Sequence, residues 1–350
     1  MPHSKDQRAP AREPTPFAEL NAVLAHLLAG VERLLGDNFV GAYLQGSFAV
    51  GDATAFSDCD FIVVTARDLT PDEIPALDAL HAEIHDLPQA YWRHALEGSY
   101  APAAVLRRWS DDPRDPPGEP RGPDWADSGT SGTPPRGYPF WYLDHGVKAL
   151  VRSEHDNTQV VRWCLREKGV VLAGPDPHEL IDPVPPAALR AEVRATMDLC
   201  LSVNLEPMAL VAWQAFWVGL YCRMLHTLAT GAVWSKKASM AWAQATLEPA
   251  WRGLIARAAA VRKGDEAQAG APADPADVQA THAFARYAGD FADQAERARR
   301  ILERRLAEKR NPGGGFRPDR PAGPPAHGAK PGGGRFTPPP TRPGQRGRRG

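Results

Sequence analysis

The chain has 350 residues, with 41 Lys+Arg, 42 Asp+Glu and 43% apolar residues. This length predicts about two domains, and the apolar fraction is sufficient for a buried core. Residues 311–350 carry eight basic residues and one acidic residue, so a net charge of −8 is left for residues 1–310. An acidic folded part argues against an extended nucleic-acid interface there.

The cysteines and the apolar runs exclude two further classes of protein. Cys59, Cys164, Cys200 and Cys222 form no CxxC pair and no Cys/His cluster, so neither a disulfide scaffold nor a zinc site is expected. No stretch reaches the eighteen apolar residues of a membrane span, and the charged, Pro-rich N-terminus is unlike a signal peptide. We expect a cytoplasmic protein that does not contact a membrane.

The first hundred residues alternate between helix and strand patterns. Thr15 is a suitable N-cap with Pro16 at the first helical position, and Gly36 ends the helix. The elements predicted in order are a helix over 15–35, strands at 39–44 and 59–65, a helix over 71–87 and a strand over 89–100. This order predicts a small α/β domain.

The rest of the chain is predicted to be helical beyond a segment rich in helix breakers. Residues 111–140 contain eight Pro and five Gly, which indicates a loop or linker. Helices are predicted at about 144–169, 186–203, 207–230, 235–245, 248–262 and 276–309. The expected organisation is a disordered 1–14, a catalytic domain at 15–110, the loop at 111–140, an all-α domain at 141–309 and a disordered tail at 310–350.

One segment between the first two strands carries the chemistry. Gly46 permits close approach of the backbone to a ligand, and the Ser47 hydroxyl and the amides after it can bind phosphate oxygens. Asp58 and Asp60 begin the second strand two residues apart, so both carboxylates project from one face. Paired carboxylates opposite a phosphate-binding turn suit Mg²⁺ that bridges protein and triphosphate.

These residues, written GSFAVGDATAFSDCD, resemble the G-S-x-x-x-G … D-x-D signature of the nucleotidyltransferase superfamily. Two later stretches, LREKGVVLAGP from residue 165 and CRMLHTLATG from residue 222, resemble streptomycin/spectinomycin adenylyltransferases in particular. The resemblance covers about residues 20–262. It implies an α/β nucleotidyltransferase domain with a small mixed sheet and a helical C-terminal domain, with ATP and aminoglycoside held between them.

The resemblance also assigns roles to residues. Gly46 and Ser47 would contact the triphosphate, Asp58 and Asp60 would hold Mg²⁺, and Arg223 and Lys236 would reach the phosphates from the helical domain. The residues themselves agree for the basic pair, because Lys236 opens a predicted helix and Arg223 lies in an apolar helix where it needs an anionic partner.

The superfamily places a general base on the strand after D-x-D. Glu97 is the acidic residue of the predicted third strand, and it is therefore the expected base that takes the proton of the acceptor hydroxyl.

One feature departs from the antibiotic-modifying pattern, in which acidic residues of the helical domain bind the cationic drug. No acidic residue lies between Glu206 and Arg223, where the chain has Trp213, Phe216 and Trp217 instead. The aspartates of the 111–140 loop could supply that charge: Asp111, Asp112, Asp115, Asp124 and Asp127.

The sequence therefore predicts a monomeric, Mg²⁺-dependent enzyme that moves AMP from ATP to a hydroxyl group and releases pyrophosphate. Streptomycin or spectinomycin is the expected acceptor, with antibiotic resistance as the outcome. Two alternatives stay open. The missing acidic residues favour transfer to a protein or RNA, as by an antitoxin, whereas a non-catalytic nucleotide-binding regulator would have no need of the intact Asp58/Asp60 pair.

Overall fold

A six-stranded mixed sheet forms the first part of the molecule. The computed structural model describes residues 13–55, 57–110, 137–202, 208–261 and 270–310, with side chains as far as residue 306. The sheet order is β5-β4-β3-β2-β1-β6. Only the β2–β3 pair is parallel among these strands, and the other neighbours are antiparallel. The strands are β1 (Phe39–Leu44), β2 (Cys59–Thr65), β3 (Leu96–Pro102), β4 (Phe140–Leu143), β5 (Val151–Ser153) and β6 (Val170–Ala173).

Helices cover the sheet and then make up the remainder of the described chain. They are α1 (Ala18–Leu35), α2 (Gly46–Ala49), α3 (Glu73–His85), α4 (Ala103–Leu106), α5 (Gln159–Lys168), α6 (Pro177–Leu180), α7 (Pro186–Ser202), α8 (Val211–Thr230), α9 (Lys236–Thr246), α10 (Arg252–Val261) and α11 (Pro275–Arg310). Residues 1–299 belong to one compact unit. In the described residues beyond it, Ile301, Leu302 and Leu306 are exposed on the last turns of α11.

The alternation of side chains along β2 divides the core between the two faces of the sheet. Phe61 and Val63 pack with the apolar stripes of α1 and α3. Ile62 and Val64 face the opposite side, where they pack with Leu106 and with residues of β4 and α5. Since Asp58 and Asp60 have even numbers like Ile62 and Val64, they project from this second face.

The helices after α6 form a second core around α8. Val218, Cys222 and Leu225 of α8 are fully buried among apolar residues of α7, α9, α10 and α11. Helix α7 also contacts the first part directly, because the Glu192 carboxylate accepts hydrogen bonds from the backbone N–H groups of Gln159 (2.5 Å) and Val160 (3.0 Å). A carboxylate at the N-terminus of α5 satisfies N–H groups that the helix itself cannot.

Several predicted boundaries are wrong for identifiable reasons. The helix expected over 144–169 is a helix only from Gln159, because residues 151–153 pair with β4 as a strand. Strands β4, β5 and β6 thus come from residues assigned to the loop and the all-α domain, so the sheet extends well past residue 110. The third strand begins at Leu96 rather than residue 89, because Trp92 lies in a 3₁₀ turn and packs on Phe17, with ring centroids 5.1 Å apart.

The first helix also begins later than expected. Its N-cap is Phe17, and Thr15 instead donates a hydrogen bond from Oγ1 to Asn21 Oδ1 at 2.7 Å. Gly36 ends the helix as predicted, with a φ of 49°. The helices predicted after residue 186 agree with α7 to α11 within a few residues. The expected disorder of 1–14 and of the tail falls almost wholly outside the described residues, as does the loop at 111–136.

Candidate active site

The turn after β1 places a short helix against the start of β2. Gly46, with a φ of 55°, opens α2 in a conformation that favours glycine. A side chain at this position would overlap the Asp60 carboxylate. The Ser47 backbone N–H hydrogen bonds to that carboxylate, and the Ser47 Oγ is buried without a hydrogen-bond partner among the described residues. The turn therefore offers an unused hydroxyl beside an acidic group.

The carboxylates of β2 and β3 come together through the parallel register of these strands. Asp60 pairs directly with Glu97, so both side chains project side by side from the same face. Burial raises the pKa of Asp60 to about 7, and the negative charges of Glu97, Asp156 and Asp58 add to this effect. Asp58 lies at the edge of the cluster with 53% of its side chain exposed.

A histidine joins the outer part of this cluster. Side-chain ligand atoms of Asp58, Glu97 and His145 all lie within 4.8 Å of one another, which is close enough to surround one cation. His145, in the turn after β4, places Nδ1 2.9 Å from Asp58 Oδ1. The sequence indicated the two acidic residues but not the histidine.

Sequence reasoning also missed Asp156, which lies between β5 and α5 with 3% exposure. Its carboxylate accepts hydrogen bonds from Ser99 Oγ (2.7 Å) and Gln45 Nε2 (3.0 Å), and burial raises its pKa. The sequence contained one indication of where Asp156 lies. Thr158 is the N-cap of α5 and accepts a hydrogen bond from the Val161 N–H. A helix that starts after Thr158 leaves Asp156 in a loop.

Tyr142 of β4 is the third residue that the sequence did not indicate. Its Oη donates a hydrogen bond to Glu97 Oε1 at 2.5 Å, and its ring stacks on His155 with centroids 4.9 Å apart. Burial and the nearby Glu97 carboxylate strongly raise the pKa of Tyr142, so the phenol stays protonated. No sequence pattern identifies this residue, because it depends on the pairing of β3 with β4.

Arg223 lies in the middle of α8, in the helical part of the chain. Burial raises the pKa of the Cys164 thiol to about 11, the positive charge of Arg223 opposes this shift, and the negative charge of Asp60 adds to it. Arg223 and Asp60 therefore both act on the same small region. The guanidinium forms no hydrogen bond or ion pair with any residue that the structure describes, so the anionic partner that the sequence requires is not a described side chain.

Lys236 is the first residue of α9, directly after the N-cap Ser235. Its Nζ lies 4.4 Å from the centroid of the Phe216 ring, a cation–π contact. The neighbouring Lys237 N–H donates to Asp52 Oδ2 at 3.1 Å, which joins the N-terminus of α9 to the loop after α2. The N-terminus of α9, which Lys236 opens, thus lies close to the loop that follows the GS turn.

The helical part presents aromatic side chains near Lys236. Trp213 is 48% exposed and its ring lies 5.7 Å from that of Phe216. The acidic residues at 111–127 that could bind a cation lie outside the described residues.

The chain is similar to known proteins in part of its sequence and in its fold. Residues 179–288 match the family model of the aminoglycoside adenylyltransferase C-terminal domain. The fold is similar to the crystal structure of spectinomycin adenyltransferase AAD(9) from Enterococcus faecialis with ATP and spectinomycin. That similarity has a TM-score of 0.54 at 14% identity and covers 78% of this chain and 98% of the other. No curated protein sequence matches the chain significantly.

These findings confirm the resemblance to aminoglycoside adenylyltransferases and the fold class, and they indicate a nucleotidyltransferase enzyme. In the described part of the chain, no helix is both long and apolar enough to cross a membrane.

Proposed function

We propose that this chain transfers AMP from ATP to a hydroxyl group of an aminoglycoside of the streptomycin/spectinomycin type, with Mg²⁺ as cofactor, and so confers antibiotic resistance. The observation that carries the proposal is the pairing of Asp60 with Glu97 beside the GS turn. The match of residues 179–288 and the likeness to a protein solved with ATP and spectinomycin support it.

The residues present fit Mg²⁺ and a triphosphate. The Ser47 Oγ has no partner among described residues, and the glycine before it leaves room for close approach to the turn. Burial raises the pKa of Asp60 and the neighbouring carboxylates raise it further, a cost to the ionised site that a divalent cation would offset. Asp58 and Asp60 would hold Mg²⁺, which neutralises developing charge on the phosphoryl oxygens when bound.

The protein's own groups would perform the remaining steps. Ser47, Arg223 and Lys236 bind and orient the triphosphate so that the α-phosphorus faces the acceptor. Glu97 takes the proton of the acceptor hydroxyl as the new O–P bond forms and the bond to pyrophosphate breaks. Pyrophosphate leaves with the electron pair of that bond.

The half-exposed Trp213 favours an acceptor with a ring or sugar face that can stack on it. The absence of acidic residues between Glu206 and Arg223 keeps a protein or RNA acceptor as a second candidate.

The test is transfer of label from α-³²P-ATP to streptomycin, spectinomycin and other aminoglycosides, with co-purified protein and RNA as parallel acceptors. Labelling of a drug supports the proposal, and labelling of protein or RNA alone selects the second candidate.

Glu97→Gln should lower turnover by roughly 10²–10⁴-fold and leave ATP affinity nearly intact. Turnover within a few-fold of the wild type would move the base elsewhere, and no transfer to any acceptor would favour a regulatory role.

The location and the oligomeric state stay proposals. All four cysteines are unpaired, which suits a reducing compartment, and we propose a cytoplasmic monomer.

A further inference from the structure

We infer that Tyr142 is a positioning residue that fixes the orientation of the Glu97 carboxylate for proton transfer. The inference rests on the proposed function, because it concerns the base of that reaction. The structural basis is the 2.5 Å hydrogen bond from Tyr142 Oη to Glu97 Oε1.

The sheet register explains why a tyrosine makes this contact. Strands β3 and β4 are antiparallel, with Ser99 opposite Tyr142 and Gly98 opposite Leu143. Tyr142 is therefore a diagonal neighbour of Glu97 on the same face, a separation that only long side chains bridge. The phenol has the length required, and its hydroxyl supplies the donor.

The surroundings hold the phenol in place. Tyr142 is 7% exposed, and His155 stacks over its ring with an interplanar angle of 27°. His155 Nε2 lies 3.4 Å from the same Oε1. Tyr142 and His155 thus both contact the same oxygen of Glu97. In the described part of the chain, neither of these two side chains hydrogen bonds to the other oxygen, Oε2.

The two oxygens of the Glu97 carboxylate therefore have different roles. Oε1 is anchored, which fixes the plane of the group, and Oε2 remains available for the acceptor hydroxyl. A base must lie within hydrogen-bond reach and in line with the proton that it takes, so loss of the anchor slows chemistry without altering how ATP is bound.

The primary test is Tyr142→Phe, which removes one oxygen and keeps the ring under His155. We expect kcat to fall by about 10- to 100-fold while the KM for ATP changes by less than about twofold. Tyr100→Phe is the matched control. Tyr100 is also buried in this sheet and also hydrogen bonded through its hydroxyl, to His81 at 2.8 Å, but it projects from the opposite face. Its variant should keep the wild-type kcat.

A second measurement separates positioning from a general loss of structure. Glu97→Asp shortens the side chain, so that its carboxylate no longer reaches Tyr142. In this background Tyr142→Phe should cause less than about a twofold further loss, since interacting residues are non-additive. Melting temperatures of Tyr142→Phe and Tyr100→Phe, compared with the wild type, show whether these variants keep the fold.

These experiments distinguish failure of the inference about Tyr142 from failure of the proposed function. An active wild type with an unaffected Tyr142→Phe variant overturns the inference and leaves the function standing. An equal loss from Tyr142→Phe in the wild-type and Glu97→Asp backgrounds, or an equal loss of kcat in Tyr100→Phe, also overturns it. A wild type that transfers AMP to no acceptor refutes the function, and the inference with it.

Discussion

Asp60 is surrounded by like charges at the centre of the candidate site. Burial raises its pKa, the charges of Glu97, Asp156 and Asp58 raise it further, and the hydrogen bond from the Ser47 N–H opposes them. Such a cluster is unfavourable for folding unless a proton or cation is present. Enzymes commonly hold charges in this way where a bound metal later neutralises them.

The folded protein should therefore lose stability as the pH rises without divalent ions. Asp60 loses its proton near pH 4 in the unfolded chain, since the ordinary pKa of this group is 3.8, and at about 7 in the folded protein. Between these values the folded state binds the extra proton, so stability falls with rising pH and is flat above the window. Asp60→Asn should stabilise the metal-free protein by about 1–3 kcal/mol at pH 8 and have no such effect near pH 4.

Thermal melts across this pH range in EDTA measure the difference. Asp58→Asn is the control, because its half-exposed carboxylate should give no comparable gain. Mg²⁺ should stabilise the wild type but not Asp60→Asn, and transfer by the variant should collapse. Wild-type Mg·ATP affinity together with wild-type turnover in Asp60→Asn would contradict the metal-site hypothesis.

At the scale of elements, α2 places its glycines beside the start of β2. Two glycines of this turn, Gly46 and Gly51, have positive φ values of 55° and 69°. Their surroundings differ: a Cβ on Gly46 would overlap Asp60, whereas a Cβ on Gly51 meets nothing within 4 Å.

The two glycines give a matched pair of variants. Gly46→Ala and Gly51→Ala both place alanine in a left-handed conformation, which costs roughly 1–2 kcal/mol. Gly46→Ala must also displace the Asp60 carboxylate, so it alone should lose Mg·ATP binding. Isothermal titration of both folded variants measures this. Equal affinities would show that the approach at Gly46 does not position the site.

Within the compact unit, residues that directly follow the GS turn contact the helical part at two points. The Lys237 N–H contacts Asp52, and Val50 packs on the buried cluster of Cys164, Leu189 and Val233. These contacts hold the start of α9, where Lys236 lies, close to the turn.

Residues 311–350 contain ten Pro and eleven Gly, which predicts that they contribute no core. A chain ending at Arg310 should keep its melting temperature and its transfer rate. Differential scanning calorimetry and the transfer assay, compared with the full chain, measure both. A drop of several degrees would show that the tail is part of the folded protein.

Local patterns predicted the elements well where one face is continuously apolar. The stripe of α1, the apolar runs of β1 and β2, and the punctuated helices α7 to α11 follow from residue spacing alone. The helix predicted over 144–169 is present only as α5, and the short strands on either side of α5 were missed because they depend on pairing with distant partners.

The sequence by itself determined the GS turn, the Asp58/Asp60 pair and the strand that carries Glu97, because each depends on neighbours a few residues away. Only the tertiary structure decided which groups join them. Asp156, Tyr142 and His145 reach the cluster through strand pairing and loops that span tens of residues. Register and loop closure are properties of the packed sheet, and no local periodicity encodes them.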